Sequence, residues 1–149
     1  MARFRFSLQR LLDVKGIRKK QEVVILSSLR KREVELVREI EQLNRKIKGV
    51  MDKISVMERG IFKISDIQQC SHFMEFLGNE LSRKGRELKE LRAEIAKKAE
   101  EVKKLYREEL VLQKLKDRRY LEFLKEEERK EQKELDEIAT ILFNRRETF

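Results

Sequence analysis

The sequence has no proline and no tryptophan, one cysteine, one histidine and only five glycines among 149 residues. Without proline, no ring clash or missing N–H interrupts a helix, and the scattered glycines form no phosphate-cradling loop. A single cysteine, Cys70, cannot form an intrachain disulfide, and a reducing compartment is the simpler reading. Cys70 and His72 make a Cys-x-His pair, but two ligands do not make a metal site and no second pair follows. The one histidine has no serine or aspartate motif around it of the kind nucleophilic catalysis needs. No enzymatic chemistry, cofactor or metal is therefore expected. No apolar run approaches the ~20 residues that span a bilayer, and the N-terminus lacks the apolar core of a signal peptide, which predicts a cytosolic protein. The start, MARFRFSLQRLL, has the arginine-rich, acid-poor character of an organellar transit peptide, but Asp13 and the helical pattern that continues from it speak against that reading.

Charge is abundant instead. Charged residues make up 44% of the chain, against about 25% in an ordinary globular domain. Such a composition signals disorder unless a sustained period organises it, and here one does. Leu36, Ile40, Leu43, Ile47, Val50, Ile54 and Met57 fall alternately four and three apart, the spacing of a coiled-coil seam. A second run on the same rhythm follows at Met74, Leu77, Leu81, Lys84, Leu88 and Leu91, continuing through Ile95, Lys98, Val102, Leu105, Glu109 and Leu112. Only the stretch around Gly60 separates the two, and a short connection makes neighbouring helices antiparallel. The expected fold is all-α: one long two-helix antiparallel coiled-coil hairpin with unequal arms. Its single unit comprises helix one over about 7–58, a turn over about 59–65 and helix two over about 66–146.

Finer features follow from the same pattern. Ser7 is expected to cap helix one, and Ser65-Asp66-Ile67-Gln68 reads as a capping box for helix two. Extending the seam backward places Lys15, Lys19 and Glu22 in it, so the helix is expected to rotate or stutter near Gly16 before Leu26 and Leu29 rejoin. The apolar run Val23 to Leu26 is then either that stutter or a partner contact. Lys84, Lys98, Glu109 and Glu33 at seam positions either snorkel at the edge of a thin core or specify register.

The net charge is +9, and Met1 to Lys20 alone holds seven bases and one acid. If residue i lies opposite roughly 124 minus i, then Lys114, Lys116, Arg118 and Arg119 fall beside residues 5 to 10 and form a positive collar at the open end. The closed end would carry Ile61, Phe62, Ile64, Phe73, Phe76 and Leu77; Phe73, Phe76 and Leu77 either extend the seam past the turn, for which one suffices, or form an exposed aromatic patch that docks a partner. Beyond about Arg118 helix two is expected to lack a partner: Glu126 to Glu134 is charged apart from Gln132, and Leu135, Ile138 and Leu142 then resume an apolar stripe that helix one cannot reach.

The ends of the chain carry a further pattern. FRFSLQRLLDVKGIRKKQE at Phe4 to Glu22 and EQKELDEIATILFNRR at Glu131 to Arg146 resemble the flagellar export protein FliJ family, the soluble stalk of the flagellar type III secretion ATPase. The resemblance extends over the whole chain. It implies a non-enzymatic component of the export complex, similar to the central stalk of rotary ATPases. Its partners would be a hexameric flagellar export ATPase, a membrane protein of the export gate and chaperones of export substrates. It would be cytoplasmic and peripherally associated with the inner-membrane export apparatus. On this resemblance, binding to the ATPase ring falls to Phe4, Phe6, Arg10, Arg118, Arg119, Leu135, Ile138 and Leu142. Export-gate binding falls to Phe73, Phe76 and Leu77, while the facing side of helix one carries Lys46, Gly49 and Lys53 where the family pattern has larger apolar residues. The alternative from another class is a basic helical hairpin that binds nucleic acid through its positive end. Only Phe4 and Phe6 interleave with arginines in the way base stacking needs, so nucleic acid is not expected as a partner.

Overall fold

The structure is a computed structural model that describes residues 2–60 and 62–147. It consists of two helices, α1 (Gln9–Glu58) of 50 residues and α2 (Ile64–Glu147) of 84 residues, with no strand among the described residues. They pack against each other as an all-α antiparallel hairpin with unequal arms.

The helix ends differ from the sequence expectations in local detail. The Leu12 N–H donates to the Leu8 carbonyl at 3.0 Å and the Gln9 N–H to Phe6 at 3.1 Å, so α1 begins two residues after Ser7. Leu8, not Ser7, therefore occupies the capping position, and the Ser7 hydroxyl accepts from Arg119 Nη1 at 2.7 Å. At the other end, Arg59 and Gly60 donate back to Val56 and Met57 at 3.2 and 3.3 Å, the tightened last turn that often closes a helix. Gly60 needs no left-handed backbone. A Cβ there would lie 2.9 Å from the Phe62 ring, so the glycine makes room for that ring. Helix α2 starts at Ile64, which puts Ser65 inside the first turn and replaces the expected capping box with an Asp66 N–H bond to the Lys63 carbonyl at 3.0 Å. Asp66 in the first turn and Arg145 and Arg146 in the last suit the helix dipole. Ile61, assigned from sequence to the closed end, lies outside the described residues.

Contacts divide the chain into two compact units. In the unit Lys20–Val102, Leu26, Leu36, Leu43 and Met57 of α1 and Leu77 and Leu91 of α2 are buried, with Leu36 at 0% exposure. All seam positions between Leu36 and Met57, and from Met74 to Val102, are buried or half-buried. Cross-helix ion pairs flank them: Arg32 with Glu87 at 3.0 Å, Lys84 with Glu39 at 2.7 Å, Arg92 with Glu33 at 3.7 Å and Lys98 with Glu22 at 2.7 Å.

In the unit formed by Met1–Lys19 and Lys103–Phe149, the core is Phe6, Leu12 and Leu105. Lys15 pairs with Glu108 and Lys19 with Glu109, both at 2.6 Å. Across the two units, the numbers of paired residues add to between 119 (Arg32 with Glu87) and 128 (Lys19 with Glu109), which brackets the antiparallel register read from the sequence.

The rotation expected near Gly16 does not occur. Leu12, Lys15, Lys19, Glu22 and Leu26 continue the seam at alternating three- and four-residue steps and all are buried or half-buried. Cross-helix pairing with Glu108, Glu109 and Lys98 is what lets charged side chains occupy those positions. A Cβ on Gly16 would meet Glu109 Oε1 at an ordinary 3.6 Å, so this glycine marks no irregularity. The expectation that α2 is uncovered beyond Arg118 is also corrected. The non-helical segment before α1 lies along it, with the Phe4 ring 5.3 Å from Tyr120 and 5.5 Å from Phe123.

Candidate functional site

Among the described residues no group of three or more His, Cys, Asp or Glu could hold a metal ion, and Cys70 is a half-buried free thiol. No helix of the described residues is long and apolar enough to cross a membrane. The chemistry on offer is that of surfaces, and three stand out.

The first is aromatic and basic. The Arg119 guanidinium lies 5.6 Å from the centroid of the buried Phe6 ring while donating to Ser7, so one cation fastens the segment before α1 through both a hydrogen bond and a cation–π contact. Lys116 lines the same hollow as Arg3, Phe4, Arg5 and Phe6. The structure thus brings the two basic clusters together as the pairing rule predicts. Arg10 and Arg118 are exposed, whereas Phe4 and Phe6 are largely used in packing. Lys19 sits 5.4 Å from the Tyr106 ring on the same unit.

The second surface is the end of α2. Leu135, Ile138 and Leu142 are all more than half exposed, and so are Ile141 and Phe143, which the seam spacing did not pick out. The helix holds itself through local contacts: Arg129 with Glu126 at 3.2 Å, Lys130 with Glu127 at 3.8 Å, and the Gln132 amide donating to Asp136 at 3.1 Å.

The third lies on α2 soon after the turn. The Phe73 and Phe76 rings stack with centroids 6.5 Å apart and planes 16° apart, and both are about half exposed. Leu77 belongs to the core at 3% exposure. It is the one residue of the three that extends the seam, so a partner approaching the folded hairpin would meet the two phenylalanines and not Leu77.

Electrostatics concentrate at the cross-helix pairs. Hydrogen bonding from Lys84 holds Glu39 below the usual carboxylate range against the opposing effect of desolvation, and Arg32 adds to it. Lys15 does the same for Glu108. Glu87 raises Arg32, and the Glu22 carboxylate, followed by Glu101, raises Lys98. Glu22 Oε2 and Glu109 Oε2 are both covered from solvent and within ion-pair distance of a lysine, though off the direction of a hydrogen bond. Their attraction is that of an ion pair.

Comparison with curated proteins and with solved structures gave no match. A family model does match, described as flagellar FliJ protein, over residues 4–148. That span takes in both helices and the FRF segment packed on α2, and on this coverage the chain belongs to the flagellar FliJ protein family.

Proposed function

We propose that the chain is the non-catalytic stalk of the flagellar type III export ATPase. Family membership implies a component of the flagellar export apparatus, and a non-catalytic one. The observation that carries the finer reading is the helical end of α2, which presents Leu135, Ile138, Ile141, Leu142 and Phe143 to solvent. Apolar surface on this scale marks an interaction site. In this reading it enters a hexameric ATPase ring, together with Phe4, Phe6, Arg10, Arg118 and Arg119. Phe73 and Phe76 contact the export-gate membrane protein, and chaperones of export substrates are further partners. The location that goes with these partners is cytoplasmic and peripheral to the membrane.

The mechanism is one of differential contact. A shaft without the ring's symmetry touches each subunit differently, and each subunit's conformational equilibrium shifts only by the difference in its contact energy between states. Chemistry stays on the ring. Against a nucleic-acid role stands the placement of the aromatic residues among the N-terminal arginines: Phe6 is buried and Phe4 packs on Tyr120 and Phe123, so neither offers a free face for a base.

The test is ATP hydrolysis by the cognate flagellar ATPase with the full chain and with a chain ending at Glu134. Stimulation by the full chain that the truncated one loses supports the stalk; equal stimulation by both removes the end of α2 from the mechanism.

A further inference from the structure

Helix α1 carries a face that the hairpin leaves unused and that the stalk reading does not need. Val23, Val24 and Val34 are 43%, 65% and 57% exposed. Val23, Ser27, Arg30 and Val34 recur at steps of four, three and four, so they share one stripe along the helix, beside the seam residues Leu26 and Glu33. They line a shallow groove together with Leu26, with Arg30 within the stripe and Lys31, Glu35 and Arg38 along its edge. These three cations make no ion pair among the described residues. The acids nearby are engaged elsewhere: Glu22 with Lys98, Glu33 with Arg92, Glu35 with Arg32, and Glu39 with Lys84 and Arg32. The groove thus carries three cations against one acid, Glu35, which lies 3.6 Å from Arg32.

We infer that the Val23–Arg38 face of α1 docks an amphipathic helix with acidic flanks, presented by a partner protein. The exposed residues of the floor are Val23, Ser27 and Val34 over the buried Leu26, small enough for a second helix to lie close, and the flat stripe offers no deep pocket for a single anchoring side chain. From Val23 to Arg38 the helix rises roughly 22 Å at about 1.5 Å per residue, the length of a partner helix of about 15 residues. Leucine-like side chains at helical spacing would cover the valines, and glutamates on both flanks would reach the arginines and Lys31. A second copy of this chain fits poorly, because a two-fold contact through this face would set cation against cation. A lipid surface fits poorly too, since Leu26 is buried and the exposed floor residues include none of the leucine or aromatic side chains that anchor an interfacial helix. The assignment stands independently of the ATPase role.

The experiment uses the full chain and two labelled synthetic helices of about 15 residues, identical in their leucine face, one flanked by glutamate and the other by lysine. Fluorescence anisotropy at near-physiological salt should show saturable binding of the acidic helix and about tenfold weaker binding, or none, of the basic one. Val23→Gln with Val34→Gln, and separately Arg30→Glu with Arg38→Glu, should each weaken the acidic helix about tenfold. These positions are exposed, so circular dichroism should be unchanged, and Val111→Gln, at an exposed position of α2 outside this face, should bind as wild type. Equal binding of both helices overturns the inference, as does affinity that neither double substitution alters. Self-association, or binding to vesicles of anionic lipid, that the valine substitutions abolish would give the face to a different occupant and overturn it as well.

Discussion

Lys98 Nζ lies 2.7 Å from Glu22 Oε2, which places an ion pair at facing positions of a helical seam filled mainly by aliphatic residues. Each side chain is about four-fifths covered, at 22% and 20% exposure. Covering two charges costs desolvation that their attraction only partly repays, and breaking such a pair leaves one charge covered without its partner. Lys98→Leu or Glu22→Leu alone should therefore lower the thermal midpoint, whereas the double leucine variant should melt at or above wild type. If the pair fixes register, the double variant should also broaden its melting transition or change oligomeric state. Thermal unfolding and sedimentation read both outcomes, and additive losses in the double variant would deny the coupling.

The pH dependence of stability follows from the direction of each shift. Glu39 and Glu108 are held below the ordinary carboxylate value, so the unfolded chain binds protons first as pH falls. Their stabilisation is present above the ordinary carboxylate value and is lost as pH falls through the lower folded one. Lys98 is raised, so its contribution is complete below the ordinary lysine value and is lost as pH rises through the higher folded one. Thermal midpoints should form a plateau between these limits with a fall on each side. Glu39→Gln and Glu108→Gln should flatten the acid side, and Lys98→Met the alkaline side. Because these pairs are partly exposed, the effects should shrink at about 1 M salt, where the Debye length is near 3 Å.

Three glycines are available for stabilisation. Gly49, Gly78 and Gly85 lie inside helices, and a Cβ on any of them would meet nothing within 4 Å. Gly→Ala at each should add roughly 0.5–1 kcal/mol by removing backbone freedom from the unfolded chain. Chemical denaturation with an unchanged slope and a raised midpoint is the expected result.

Neighbouring arginines should separate by function. Arg118 is exposed, whereas Arg119 donates to Ser7 and lies over Phe6. Arg118→Glu should slow association with an anionic partner surface in a salt-dependent way without altering the fold. Arg119→Glu should in addition release the segment before α1, visible as faster proteolysis ahead of Gln9. Identical behaviour of the two variants would mean that the hydrogen bond and ring contact of Arg119 hold nothing in place.

The period of the seam was legible because two-helix burial admits only one narrow stripe: Leu36 to Met57 and Met74 to Leu112 are buried or half-buried at every expected position. The continuation through Lys15, Lys19 and Glu22 was not, since a charged residue at a seam position signals a break unless its partner is known. Here Glu108, Glu109 and Lys98 lie 76 to 93 residues away. The Phe4 contact with Tyr120 and Phe123 was equally invisible, because a non-helical segment has no period to match against a helix. Of the candidate docking residues, the spacing identified Leu135, Ile138 and Leu142. It also placed Leu77 in the seam, where it is buried, and left out Phe73 and Phe76; grouping Leu77 with them as a docking residue came from the family resemblance.

The end of α2 gives the strongest prediction. Leu135, Ile138 and Leu142 are 60%, 54% and 55% exposed. Leaving apolar surface in water costs about 25 cal/mol per Å². The helix there is supported by neighbours three or four residues away, such as Arg129 with Glu126 and Gln132 with Asp136. Local contacts of that kind stabilise a helix by about 0.2–0.5 kcal/mol per pair, little against fraying. Amide exchange from Glu126 onward should therefore be fast in the isolated chain, while amides near the buried Leu36 and Leu91 exchange slowly. Adding the hexameric ATPase should slow exchange over Leu135 to Phe143 if this stripe is what enters the ring. Leu135→Ser with Leu142→Ser should leave exchange near Leu36 unchanged and remove both the protection and the stimulation of ATP hydrolysis. Protection that survives both substitutions would assign ring contact to the charged faces of the helix instead of its apolar stripe.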